Sequence, residues 1–473
     1  MPTLFAWVTL ALWPLLVIVI YAARRASARL ARTTAWMMVL PVMFLPTGLE
    51  FKVAGIPYID KDRISFISIA IALQLFHRKD LLGKARGHNI PRVVLLVLLL
   101  ATVVTVRTNA DALTVGPTIL PGLTLHDVFS LTAARLLDLY LPFAVGQRVF
   151  RTERDLRDLL EVLSICGLIY APLCLIEMRF SPQLHYWVYG YYPSQFLQAI
   201  REGGYRPVVF MRHGLNVAMF FFTCFCSSLA LRKVKAALHP VSAAARVGVN
   251  GLFVLLCRSL AAIIYSAGAL VAQLALSTRA LGRLLTLLVV LMFVYPASRI
   301  SGAFPVEDTI QFFARINPAR AESLLFRFRN ENALIERANK RAMFGWGTFG
   351  RNRIYDPWSG KDISVTDGTW IIELGQFGYA GLASFGSLLL FPLLRFLWRR
   401  SRMPQTSQVL LGALALIVTV YTVDLFPNSY ANLLIFAFAG ALFTLSGNLR
   451  RPRRTAPRPV DRFEVASVNR VPA

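Results

Sequence analysis

Apolar residues fall along this chain in long blocks separated by short, arginine-rich connections. A membrane-spanning helix needs about 20 mainly apolar residues. Runs such as Leu281 to Tyr295, whose one charge is Arg283, and Val409 to Thr422 each nearly supply one. The pattern predicts about 13 crossings, near residues 4–21, 34–50, 64–76, 93–106, 128–147, 159–177, 208–230, 241–257, 260–277, 282–298, 369–394, 407–424 and 430–447. The expected fold class is an all-α polytopic membrane protein of 12–13 transmembrane helices. Its expected divisions are helices 1–10 over residues 1–298, a long extracytoplasmic catalytic loop over 299–368, helices 11–13 over 369–447, and a disordered basic tail over 448–473.

Composition agrees. Of 473 residues, 56% are hydrophobic and 16% charged, against about a quarter charged in an ordinary globular chain, which excludes a soluble multidomain enzyme. Lys plus Arg outnumber Asp plus Glu by 51 to 25. These cations sit in clusters between apolar runs, so they signal topology and not a nucleic-acid partner. The clusters are Arg24, Arg25, Arg29 and Arg32; Arg78, Lys79, Lys84, Arg86 and Arg92; Arg148, Arg151, Arg154 and Arg157; Arg232, Lys233, Lys235 and Arg246; Arg395, Arg399, Arg400 and Arg402; and the tail from Arg450. By the positive-inside rule all are cytoplasmic and the N-terminus lies outside. That parity holds only if the apolar stretch 247–276 turns back on itself at Arg258 and Ser259. The first run, Leu4 to Tyr21, lacks a positive leader and precedes the arginines, so it reads as a retained span and not a cleaved signal. Cys166, Cys174, Cys224, Cys226 and Cys257 all fall in apolar segments away from His and acidic partners, so neither disulfide, metal nor other cofactor is expected.

Two extracytoplasmic loops remain, 178–207 and 299–368, the second with eleven basic and eight acidic residues. Its middle, Ala319 to Phe344, reads as an amphipathic helix at or near the membrane surface, with Leu324, Leu325, Phe328, Leu334 and Ile335 as apolar anchors. Arginines beside a bilayer suit a lipid-linked phosphate, because guanidinium forks match phosphate oxygens and stay charged. The candidates are Arg201, Arg206, Arg212, Arg258, Arg337 and Arg341, each weighed against ordinary head-group snorkelling. Arg258 interrupts an apolar run and needs a partner; Arg337 and Arg341 are i, i+4 on the expected helix. His213, beside Arg212, reads as an interfacial polar residue or a base near a diphosphate. Asp367 stands at the foot of an apolar helix, where it serves as N-cap or as acceptor of a sugar-hydroxyl proton. Within the spans, Arg135 and Asp138 read as an i, i+3 pair, and Glu161, Glu177, Glu373 and Asp424 are further charges of the kind a transporter uses. Gly345-Trp346-Gly347-Thr348-Phe349-Gly350 fits G-x-G-x-x-G but lacks a βαβ setting, so it reads as a tight turn whose amides face an anion.

The stretch Phe344 to Gly350, followed by Ser364-Val365-Thr366-Asp367-Gly368-Thr369-Trp370 through Glu373-Leu374-Gly375-Gln376-Phe377-Gly378-Tyr379-Ala380-Gly381, resembles the signature of the O-antigen ligase and O-antigen polymerase superfamily. Tyr205-Arg206-Pro207 through Arg212-His213-Gly214-Leu215-Asn216 and Leu255-Leu256-Cys257-Arg258-Ser259-Leu260-Ala261 look similar too, so the resemblance covers roughly Tyr205 to Leu388. It implies a GT-C-like, multi-pass glycosyltransferase of the bacterial cytoplasmic membrane, metal-independent and inverting. Its substrate would be undecaprenyl-diphosphate-linked oligosaccharide. Under it, Arg206, Arg212, Arg258, Arg337 and Arg341 would stabilise the diphosphate leaving group, with His213 alongside and Asp367 as base. Ligases usually carry a His-Asn pair where this chain has Asp367-Gly368, which points to the polysaccharide-polymerase branch. A ligase, a flippase of lipid-linked sugars, and a noncatalytic member of a polysaccharide assembly complex are the alternatives. A flippase would predict an internal repeat, and the halves do not echo one another.

Overall fold

The computed structural model describes residues 1–25, 29–52, 56–78, 89–193, 195–201, 203–235, 241–429 and 432–449. Lys79, Lys84, Arg86 and the basic tail from Arg450 lie outside the described residues, as does the side chain of Arg201. The membrane portion is built from α1 (Leu4–Ala23), α2 (Leu30–Phe44), α3 (Lys61–Phe76), α4 (Asn89–Arg107), α5 (Leu125–Arg135), α6 (Leu141–Val149), α7 (Glu153–Phe180) and, after the short α8 (Leu184–Tyr189), α9 (Gly214–Lys233). Then come α10 (Ala243–Leu256), α11 (Leu260–Leu274), α12 (Thr278–Ser301), two helices of the long loop, α13 (Val306–Ile316) and α14 (Pro318–Asn339), and finally α15 (Thr369–Arg399), α16 (Gln405–Asp424) and α17 (Leu434–Asn448). Eight of these segments are long and apolar enough to cross a membrane, and α2, α10, α11 and α17 are shorter apolar helices. The protein is a multi-pass, all-α membrane protein; among the described residues, strand is confined to two small hairpins.

Caps set where the helices start. Thr152 and Asp155 form a capping box on α7, and Ser242 and Ser277 accept backbone amides at the starts of α10 and α12. The expected turn at Arg258 is present. Arg246 of α10 pairs with Glu161 low on α7 (3.0 Å), while the main chain at Gln273, near the far end of α11, accepts from Lys233 Nζ. Both helices therefore return to the basic end of α9, and the Cys257–Ser259 link lies at the opposite end. Thr3 N bonds Tyr189 O (2.9 Å), which places the N-terminus with the 181–213 loop, away from the basic clusters.

The supposed Arg135–Asp138 pair is not made. A five-residue π-turn, Leu136–Tyr140, separates α5 from α6, so the regular i, i+3 spacing does not hold across it. Arg135 Nη1 instead reaches both carboxylate oxygens of Glu373 on α15 at 2.7 Å, and Asp138 takes a two-pronged contact from Arg63 at 2.6 and 2.7 Å. Glu177 accepts the amides of Leu184, Val208 and Val209 (3.1, 2.8 and 2.7 Å) and so shapes the 181–213 loop.

The Gly-rich turn is fixed by a break in α15. Gly378 has φ 64° and ψ −160°, a conformation essentially reserved for glycine. The break frees carbonyls and amides that the loop takes up: Trp346 N and Gly347 N donate to Gly375 O and Gln376 O (2.9 and 2.8 Å), while Tyr379 N and Ala380 N donate to Ala342 O and Met343 O (2.8 and 3.1 Å). These two turn amides are consumed by the helix break, so the anion-facing role expected for them is corrected. Gly378→Ala is expected to lower the thermal unfolding temperature in detergent, since the backbone strain alone costs about 1–3 kcal/mol and a Cβ there would lie 2.4 Å from Met343 C. Gly386→Ala, farther along α15, where a Cβ would meet only Leu390 at 3.8 Å, is the neutral comparison.

Candidate functional site

The one loop helix that the pattern marks, α14, turns its apolar stripe to the protein. Phe328, Leu334 and Ile335 of α14 are buried, and Leu334 and Ile335 pack with Trp370, Ile371 and Leu374 of α15. The expected surface helix is therefore docked on protein. An apolar stripe at 3.6-residue spacing serves either purpose, and here the outer end of α15 supplies the partner.

Between α11, α12, α13, α14 and the ends of α15 and α16 lies a groove of about 430 Å³. Its floor and one wall are apolar, with Leu288, Leu291 and Met292 from the membrane segment of α12. Its polar lining is Arg327, Asn330, Glu331 and Asp367. Asp367 is not the helix cap. Gly368 takes that place, pressed so close to Phe426 O that a Cβ would lie 2.1 Å away. The Asp367 carboxylate is 3.6 Å from Arg327 Nε, each side chain nearly half exposed, and the segment carrying it is held by Val365 N donating to Asn330 Oδ1 (3.0 Å).

Deeper in, Arg299 Nε lies 3.0 Å from Glu331 Oε2 and its Nη2 donates to Asn332 Oδ1 (2.8 Å), while Tyr295 Oη donates to the same carboxylate (3.0 Å). Burial raises the pKa of Glu331, with Arg299 and then the Tyr295 hydrogen bond opposing it. Sequence reasoning missed Arg299, Arg327 and Glu331. The i, i+4 spacing of Arg327 and Glu331 was the available signal; the Arg299 contact closes over 32 residues and has no local signature. A second, larger cavity of about 580 Å³ lies on another side of α12, lined largely by apolar residues such as Phe293, Phe385 and Leu389. It offers hydrocarbon surface and little chemistry.

The nominated arginines fall into two groups with different scaffolds. Arg206 Nη2 donates to Arg258 O (2.7 Å), and the Arg258 guanidinium lies against Gly204, where a Cβ would fall 2.5 Å from both Nη atoms. Arg258 itself holds φ 49°, the tight link of the α10–α11 turn. Arg212 is exposed at the start of α9. His213 is that helix's N-cap, its Nδ1 accepting from Leu215 N (3.1 Å), so this nitrogen is committed to the helix and not to a proton-transfer role. Arg337 and Arg341 gather instead around Trp346, their guanidinium carbons 3.5 and 4.5 Å from its ring centroid. Arg341 Nη1 donates to Thr108 O and to Asn109 Oδ1 (2.7 Å), and its Nη2 lies 3.0 Å from Asp111. Arg351, unflagged in the sequence, is wholly buried beside them and donates to Pro121 O (2.9 Å) and Trp346 O (3.2 Å). Burial, then the neighbouring charges of Arg341 and Arg351, depresses the pKa of Arg337. This second group latches the long loop onto the end of α4.

No protein-family model matches the sequence, and no curated protein matches it.

Because the Glu331 pKa is raised on folding, its contribution to stability is complete below the unfolded value near 4.5 and is lost as pH rises through the folded value. Wild-type unfolding temperature is expected to fall across that window, whereas Glu331→Gln is expected to remove the slope. Thermal unfolding in detergent at a series of pH values checks this.

Proposed function

We propose that this protein is a membrane glycosyltransferase that polymerises lipid-linked oligosaccharide, taking an undecaprenyl-diphosphate-linked glycan as donor at the outer face of a bacterial cytoplasmic membrane. The observation that carries the reading is the groove: an apolar wall on a membrane-spanning helix ends in a carboxylate and a guanidinium. A polyprenyl tail fits the wall, and its anionic head group meets Arg327. Asp367, beside it, is the base. As the acceptor hydroxyl oxygen bonds to the anomeric carbon, its proton passes to Asp367. The bond from that carbon to the diphosphate oxygen breaks with its electron pair leaving on the lipid diphosphate, and configuration inverts. Arg327 neutralises the charge that develops on the leaving group. Arg258, at the same end of the bundle and held through its carbonyl by the buried Arg206, extends the positive surface for the diphosphate-linked glycan.

The intramembrane charges favour catalysis over transport. Glu161, Glu177 and Glu373 are each tied to fixed partners, and Asp424 accepts from Asn428 (3.1 Å) and Tyr265 (3.4 Å). Groups spent on fixed partners in this way serve the packing of the bundle, and the two halves of the chain do not echo one another as a transporter's repeats would.

The size distribution of surface and lipid-linked polysaccharide in the native host tests the reading. A deletion is expected to leave single repeat units without long chains. Asp367→Asn is expected to reduce chain formation by about 10²-fold or more, and Arg327→Ala and Arg258→Ala to shorten chains at normal membrane levels of protein. Long chains accumulating on the lipid carrier would instead mark a ligase. Full restoration by all three variants would overturn the glycosyltransferase reading.

A further inference from the structure

The helix α13 joins the membrane span α12 to the docked helix α14 and forms one edge of the groove through Thr309 and Phe313. Val306, Ile310 and Phe313 recur along it at i, i+4 and i+7, and Phe312 and Ile316 widen the apolar stripe. Glu307, Asp308, Gln311 and Arg315 take the opposite side. The protein covers only part of this stripe. Phe312, Phe313 and Ile316 are 59%, 40% and 67% exposed, and none of the helix's residues is buried. In a water-exposed loop such a face would be a liability.

Its surroundings identify what covers it. The preceding span presents Leu287, Val290, Leu291, Phe293 and Val294 outward, each about half exposed, as a helix facing hydrocarbon does. Gly302, with φ 75°, ends that span in a left-handed cap, and Phe304 fixes the start of α13 by packing edge-on against Tyr295 and tilted against Phe328, with centroids 5.6 Å from each. The exposed stripe of α13 is thus a lateral continuation of the lipid-facing surface of α12.

We propose that α13 lies in the head-group boundary of the outer leaflet, with Phe312, Phe313 and Ile316 inserted among the acyl chains, and that the groove beneath it opens sideways to the bilayer. A substrate tail would then enter from the leaflet past Phe313 while its head group stays at Asp367 and Arg327. The kind of lipid that enters rests on the glycosyltransferase reading; the placement of α13 does not.

All five cysteines are buried, so a cysteine introduced at the surface can be labelled selectively, with the unsubstituted protein as blank. Ile316→Cys, Phe312→Cys, Gln311→Cys and Leu288→Cys would each carry an environment-sensitive fluorophore in vesicles of phosphatidylcholine. Nitroxide-bearing acyl chains are expected to quench the labels at 312, 316 and 288 about twofold or more above that at 311, with aqueous iodide giving the reverse order. Equal iodide quenching at 311, 312 and 316 would overturn the placement of the helix. A label at 288 that iodide quenches and lipid does not would overturn the sideways opening. Neither readout needs turnover, so failure here is distinct from loss of polysaccharide synthesis.

Discussion

The exchange of main-chain hydrogen bonds between the break in α15 and the segment 342–347 is the constraint on which the outer half of the protein depends. An unbroken helix satisfies its own amides and carbonyls and offers none to a neighbour. By stepping out of helical geometry at Gly378, α15 exposes two carbonyls and two amides in a low-dielectric setting, where leaving them unpaired costs heavily. The loop supplies the complement, and only glycine permits the approach: a Cβ at Gly345 would sit 2.5 Å from Gln376 C. Trp346, Arg337, Arg341 and Arg351 then build outward from that seam, and α14 follows because its C-terminal end runs into it. The position of Asp367 is an indirect result, fixed through the outer end of the same helix.

Much of the membrane architecture was legible because the two signals that fix it are cumulative. Apolar length and the placement of Arg and Lys each sum over many residues, and together they required the turn at Arg258. What was hidden depended on single contacts between distant segments. Arg135 and Asp138 looked like a helix pair since spacing assumes regular winding, and a π-turn leaves no trace in apolar periodicity. The stripe of α14 was visible, but whether it meets lipid or protein depends on what α15 presents to it. α13 escaped notice because eleven residues after a span read as loop.

The candidate site shows the same division. Asp367 was singled out from its place before an apolar helix, and it does reach a groove. Its neighbours Arg327, Glu331 and Arg299 come from two helices that meet only in three dimensions. The arginines chosen for being cationic near a membrane were legible as a set but not by task. Arg341 spends donors on Thr108 O, Asn109 and Asp111, and Arg206 serves Arg258 O. Guanidinium groups hold main chain as readily as they hold phosphate, and composition does not say which.

The Arg135–Glu373 pair sets a timetable for biosynthesis. Its partners are 238 residues apart, so at ordinary elongation rates Arg135 waits on the order of tens of seconds for Glu373 to be made. During that interval a guanidinium rests in a nascent span with its final counter-ion still untranslated, a state that costs a few kcal/mol at mid-bilayer. The first third of the polypeptide is therefore inserted provisionally and becomes a finished piece of the bundle when the ribosome has delivered α15. A chain released early carries in its membrane portion a cation that lacks its ion-pair partner, which is a chemical flag by which incomplete copies differ from complete ones.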